Sequence, residues 1–438
     1  MLLRLLPILA AISCVLAVPP PTADKDEQTP EFFAAKALMQ LVAAPPSPIT
    51  MPTAVAFQTT VNPLLTTIDI KKMEAWLVKL TQFPERYYKS QNGVDAAKWI
   101  RDTVQALTAP AGTKLTVSLY SHPKWIQPTV IARYEAVNPT SAEGIVIAGT
   151  HFDTYAIGHP NGVGGANPAA DDCASGGSAL FESLRVMTTN GFIPGRPIEF
   201  HWYAAEEAGL LGSYEVANDY AAKGIKVVSY LNLDQSGYVK KGTTPVIGIF
   251  ADYTTAAATK FVTATAKAYS GLPVVENQKC GYECTDNAAW FDAGYNSALA
   301  FESSFANAFP YNDRTNSDGS PLDTFDKIDM NHVVAFAKNT IGFLVELSLT
   351  GTGVTPVPST TTAKTTGPVP TSSSVPPATS SAPADTCVHK VCVTGVKLTS
   401  TCNACAKAIC AADSYCCSSS WDATCVKEVA QYCTGITC

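Results

Sequence analysis

Four polar positions in this chain each follow an apolar run. They are His151 in GIVIAGTHFD, Asp172 in ANPAADDCASGG, the pair Glu206 and Glu207 in IEFHWYAAEEAGLLGS, and Asp234 in VVSYLNLDQSG. One imidazole with several carboxylates is the donor set of a first-row metal, most simply zinc. Such a centre can hydrolyse an amide, because the ion acidifies water and polarises a carbonyl while a nearby carboxylate takes the proton. Asp153, two residues after His151, can accept the free ring N–H and orient the imidazole. Asp172 lies in a short loop before a helix starting near Ser175, where a carboxylate can bridge two ions. Of the adjacent Glu206 and Glu207, one can face the ion and the other the water. Asp234 can complete the ligands of one ion.

These residues span more than eighty positions, so a fold must gather them. The runs Ile145–Ala148, Ile198–Tyr203 and Val227–Leu233 read as buried strands of a parallel sheet. In open α/β sheets ligands bind at the carboxyl ends of the strands, where these polar groups fall. Helical spacing covers Ile68–Leu80, Val94–Leu107, Ser175–Met187, Glu207–Tyr220, Ala256–Ala268 and Asn331–Leu349, and strand-like alternation covers Leu115–Tyr120 and Pro128–Glu135. The repeated strand, loop, helix order predicts an α/β fold with a mixed, mainly parallel central sheet flanked by helices.

The chain has 438 residues, suiting one large domain plus extras. A net charge of −7 and no basic patch argue against nucleic acid and anionic membranes. Residues 1–17 read as a secretory signal peptide, with Arg4 before an apolar stretch and small residues Val15 and Ala17 before the cut. No later stretch reaches spanning length, so a soluble, secreted, extracellular protein is expected. Residues 18–64 are rich in Pro, Ala and Thr and read as a pro-segment. A large domain over 65–350 is followed by a Ser/Thr/Pro-rich linker, 351–386, expected to be extended and O-glycosylated. Ten of the fourteen cysteines fall in 387–438, a small disulfide-stapled module. A structural zinc there is disfavoured, since its only histidine is His389.

The stretches RYYKSQNGVDAAKWI, IVIAGTHFDT, AADDCASGGSAL, AAEEAGLLGS, NLDQSGY, CGYECTDNAAWFDAGY and FESSF, in this order, resemble the zinc aminopeptidases of peptidase family M28, in particular its secreted leucyl-aminopeptidase branch. The resemblance covers about residues 65–350. It implies the zinc exopeptidase fold, peptide substrates, two zinc ions and a monomer. It implies that His151 and Asp234 hold one zinc, Asp172 bridges, Glu207 holds the other, and Glu206 is the general base. Cys280 and Cys284 would form a disulfide beside the pocket, with Tyr282 polarising the carbonyl oxygen. Leu299, Phe301 and Phe305 would line a pocket for the first side chain. Gln235 stands there where an apolar residue is more familiar, which would shift the preference.

The chain departs from the family at one ligand. The expected histidine four residues before Asp323-Thr324 is Gly319, and Asp318 or Asp313 is left to supply an oxygen instead, or the site holds one zinc. Alternatives are a single-zinc relative, such as a glutaminyl cyclase or a carboxypeptidase, and a catalytically dead peptide-binding protein. Asp171 reads as a loop residue, Cys173 as structural, and His332 as a satisfied helix histidine. His122, His159 and His201 have no assigned role, and Glu199 reads as solvent-facing or ion-paired. The tail is expected to attach to a polymer or cell surface.

Overall fold

The computed structural model describes residues 49–137, 144–155, 166–310 and 320–353, and most of 387–438. The signal peptide, the linker from 354, His159, Asp313, Asp318 and Gly319 lie outside the described residues. The chain divides into two compact units, up to Thr361 and from Thr362 onward.

The first unit is built on one eight-stranded sheet. Its strands are β1 (Leu115–Tyr120), β2 (Thr129–Tyr134), β3 (Ile145–His151), β4 (Ile198–Tyr203), β5 (Val227–Asp234), β6 (Ile247–Phe250), β7 (Val274–Gln278) and β8 (Ser297–Phe301), in spatial order β1-β2-β4-β3-β5-β8-β6-β7. The central four, β4, β3, β5 and β8, run parallel. β1 and β2 are antiparallel at one side, and β6 is antiparallel to β8 at the other. Every residue of β3, β4, β5 and β8 is buried, as central strands covered on both faces require. The mixed, mainly parallel sheet flanked by helices is therefore the one the sequence predicts.

Two features of this sheet place the site. From β3 the chain moves to β4 on one side and then to β5 on the other, so a crevice opens at the carboxyl end of β3. Gly149 pairs with Asn232, so His151 and Asp234, two residues further on each strand, leave the sheet side by side.

The helices are α1 (Gln58–Leu65), α2 (Ile70–Leu80), α3 (Gln91–Gln105), α4 (Gly176–Thr189), α5 (Leu211–Ala222), α6 (Ala256–Thr265), α7 (Asn287–Asp292) and α8 (Met330–Leu349). Asp69, Ser90 and Asp329 cap α2, α3 and α8 by accepting hydrogen bonds from amides of the first turn. α8 is long and apolar enough to cross a membrane, but it is buried against the sheet as the central core helix. α5 starts four residues later than its periodicity predicts. Residues 206–210 turn instead, with Gly209 at φ 99° and Leu210 at φ 58°, which frees Glu206 and Glu207 to face the crevice. Gly176 begins α4 where the helix presses on the sheet, and a Cβ there would lie 2.8 Å from Leu233 O and from Thr150 Oγ1.

Residues 49–64, read from sequence as part of the pro-segment, are built into this core. Met51, Phe57, Val61 and Leu64 are buried. The buried Glu346 of α8 accepts the amides of Ala56 at 2.7 Å and Phe57 at 2.9 Å.

The second unit packs Val391, Leu398, Ile409, Trp421 and Val429 around disulfides Cys387–Cys402, Cys405–Cys433, Cys410–Cys417 and Cys416–Cys425. A core this small needs such staples. Both ring nitrogens of His389 face backbone carbonyls.

Candidate metal centre and substrate cleft

His151 ends β3 and is 1% exposed. Its Nε2 lies 2.9 Å from Asp172 Oδ1 and 3.7 Å from Asp234 Oδ1. Its Nδ1 faces Asp153 Oδ1 at 3.5 Å. Asp153 in turn accepts the backbone amides of Glu206 at 2.9 Å and Glu207 at 3.2 Å. One carboxylate thus ties the β3 exit to the β4 exit. Glu206 is buried and Glu207 half-buried.

Asp172 belongs to the irregular turn Ala170–Ser175, which precedes α4. Its Oδ2 accepts the Gln235 Nε2 at 3.0 Å, joining this turn to the end of β5. Asp171 points away from the cluster: its Oδ1 accepts the amides of Gly237 and Tyr238. Cys173 Sγ sits 2.9 Å from Thr150 Oγ1 and 3.5 Å from Leu233 O. Burial and the neighbouring Asp234 push its thiol up to about 12. It is near enough to His151 and Asp234 to group with them, but it is occupied as a packing contact.

The electrostatics of the crevice call for a cation. Burial pushes the Glu206 carboxyl well above its ordinary value; the His151 charge opposes this, and Asp234, Asp286 and Asp153 reinforce it. Burial also raises Asp286 to about 7. Burial works against protonation of His151, yet Glu206 and its three aspartate neighbours hold the imidazole well above its usual value. Among the described residues carboxylates outnumber the positive charge of the crevice, and a divalent ion would reverse these shifts.

The donor set fits zinc. Asp234 Oδ1 is buried and makes no hydrogen bond among the described residues. The 2.9 and 3.7 Å spacings around His151 Nε2 bracket the edge of about 3.3 Å expected for ligands tetrahedrally placed about 2.0 Å from zinc. His151, Glu206 and Glu207 also present donor atoms within 4.8 Å of one another.

A cleft of about 290 Å³ opens over this cluster. Asp172, Glu206, Glu207, Asp234 and Gln235 form its floor. Phe301, Phe305, Phe309 and the Cys280–Cys284 disulfide form apolar walls, with Tyr282 at the side. Leu299, expected among these walls, is not in the lining. It lies two residues back from Phe301 on β8, one step deeper in the sheet, and packs on Phe250 and Phe301 from behind.

Residues 129–344 match Peptidase family M28. The Probable leucine aminopeptidase 1 of Trichophyton verrucosum is 35% identical over 311 residues, which are 68% of this chain and 80% of that protein. The chain belongs to peptidase family M28. A probable aminopeptidase of Saccharomyces cerevisiae is 34% identical to this M28 peptidase over 302 residues, covering 68% of this chain and 78% of its own. The structure of LapB from Legionella pneumophila aligns with a TM-score of 0.61 at 29% identity, over 74% of this chain and 83% of that one. Residues 385–438 match a Domain of unknown function (DUF8252). The M28 peptidase is thus a metallo-aminopeptidase.

Several groups at this M28 centre escape a sequence reading. Asp286 is buried beside the cleft residue Thr285. Glu302 accepts the amides of Tyr238 at 2.8 Å and Phe309 at 2.7 Å. Arg86 and Asp323 hold the Asp172 turn by its backbone. Glu302 follows the apolar run Ser297–Phe301 as Asp234 follows Val227–Leu233, and Arg86, Asp286 and Asp323 fall in RYYKSQNGVDAAKWI, CGYECTDNAAWFDAGY and Asp323-Thr324, yet none of the four has a role legible from spacing. His201 and Glu199 do not reach the crevice. They form a buried network with Arg133, Tyr203 and Tyr220. His122 pairs with Glu215 and Thr129, and His332 Nε2 with Val246 O.

Proposed function

We propose that this M28 peptidase is a secreted zinc aminopeptidase that removes N-terminal, preferably apolar, residues from peptides, with Glu206 as general base. The arrangement that carries the reading is the shared Asp153 clasp, which holds His151 and the Glu206–Glu207 pair over one cleft. His151, Asp172 and Asp234 would hold one zinc. Asp172 and Glu207 would hold a second, completed by Asp313 or Asp318 in place of the missing histidine. Bound zinc acidifies water and polarises the scissile carbonyl. Glu206 takes the proton from the attacking water and delivers it to the leaving amine. Tyr282 donates a hydrogen bond to the carbonyl oxygen. The aromatic walls receive the first side chain, and the carboxylates at the rim hold the free amine.

Secretion is supported by the leading apolar segment and by the disulfides in both units. A removable segment would then end before Ala56, because cutting beyond Phe57 would strip Glu346 of its two amide donors.

The test is hydrolysis of Leu-p-nitroanilide by the purified protein, with zinc counted per chain. Activity untouched by chelation or by Glu206→Gln rejects the mechanism. Removing residues 351–438 and comparing retention on insoluble polymer tests the tail. Equal retention would end that idea.

A further inference from the structure

The peptide that carries Asp172 is gripped from two sides by residues that touch neither cleft nor ligand atoms. Arg86, fully buried, comes from the connection between α2 and α3. Its Nη1 donates to Pro168 O at 2.6 Å and its Nη2 to Ala169 O at 3.1 Å. Its Nε donates to Phe152 O at 2.6 Å, immediately after His151. Asp323, 1% exposed, comes from the far end of the domain sequence. Its Oδ1 accepts the amide of Asp171 at 2.8 Å and its Oδ2 the amide of Asp172 at 2.9 Å.

The division of labour is chemical. A guanidinium has only donors and takes the carbonyls on the incoming arm. A carboxylate has only acceptors and takes the amides at the ligand itself. Between them lies Ala169, a non-glycine residue held at φ 42°. A left-handed alanine persists only where its surroundings over-determine it. Arg86 also reaches the residue after His151, so it locks two ligand-bearing segments to each other.

We infer that Arg86 and Asp323 are a positioning pair that sets the Asp172 carboxylate at the metal centre, Arg86 by holding the carbonyls that lead into it and Asp323 by holding its own amide and that of Asp171. The inference rests on the reading of Asp172 as a metal ligand. It gives Asp323 a role of its own, distinct from marking the place of the missing histidine.

The test is zinc affinity by chelator competition, with kcat and KM measured separately, for Asp323→Asn, Arg86→Lys and the control Asp172→Asn. An asparagine at 323 keeps the size but offers one acceptor for two amides. Zinc affinity should fall about 10- to 100-fold, as for other groups that orient ligands. kcat should fall with KM nearly unchanged, and melting of the metal-free protein should shift by only a few degrees. Wild-type zinc affinity and kcat in Asp323→Asn overturn the pairing. So does a loss of affinity that only follows loss of the fold. If Asp172→Asn itself binds zinc normally, the ligand reading fails instead. Should the variants not fold, amide exchange in the wild-type protein decides: Asp171 and Asp172 must be strongly protected, and fast exchange there overturns the clamp.

Discussion

Asp153 Oδ1 accepts the main-chain amide of Glu206 at 2.9 Å and also faces the His151 Nδ1 at 3.5 Å. One residue thereby fixes the distance between the imidazole at the end of β3 and the base candidate after β4. Its hydrogen bond to Glu206 is to the backbone, leaving that side chain free for protons.

Asp153→Asn should therefore damage two functions together. An amide can accept one of the two backbone amides, but it cannot balance an imidazole in the same way. Zinc affinity and kcat should each drop by about 10- to 100-fold. Chelator competition and steady-state kinetics on Leu-p-nitroanilide measure both.

Glu206→Gln should separate chemistry from binding. The amide preserves shape and the Asp153 clasp but takes no proton. kcat should fall by about 10²- to 10⁴-fold with zinc content unchanged. Loss of zinc along with activity would instead make Glu206 a ligand.

The metal-free protein should become less stable as pH rises. Burial lifts Asp171 to about 6 and Asp286 to about 7, from an ordinary value of 3.8. A group with a raised folded pKa contributes fully below its unfolded value, and the contribution is lost as pH climbs through the folded one. His151, also raised, carries the same sign. Melting temperature in chelator should fall between about pH 4 and about pH 7, and added zinc should restore it most at the upper end. A flat profile in chelator would contradict the charge account of the crevice.

Glu346→Ala should destabilise the catalytic unit without touching the site. It leaves the amides of Ala56 and Phe57 and the Tyr269 hydroxyl without their acceptor. Two of these three donors are buried, and leaving them unpaired costs about 2–4 kcal/mol together. A lowered urea midpoint with unchanged KM is the expected result.

The strands were legible in sequence because a sheet covered on both faces favours largely apolar runs, and Ile198–Tyr203 and Val227–Leu233 are mostly apolar. The start of α5 was not, because the 206–210 turn serves the crevice against local helical periodicity. Leu299 suits a pocket wall by type, while its depth along β8 is a matter of register.

Sequence by itself determined the donor types, their strand-end positions and the family, since these follow from local pattern and motif order. It also exposed the glycine at 319. Only the tertiary structure decided which carboxylates face the crevice and which hold its walls. Asp171 and Asp172 are neighbours of one type, yet one caps the amides of Gly237 and Tyr238 and the other meets His151. Arg86 and Asp323 stand in stretches that resemble the family, but nothing in their spacing announces what they hold. Their partners are backbone groups of one distant turn, and such partners are fixed by packing rather than by spacing along the chain.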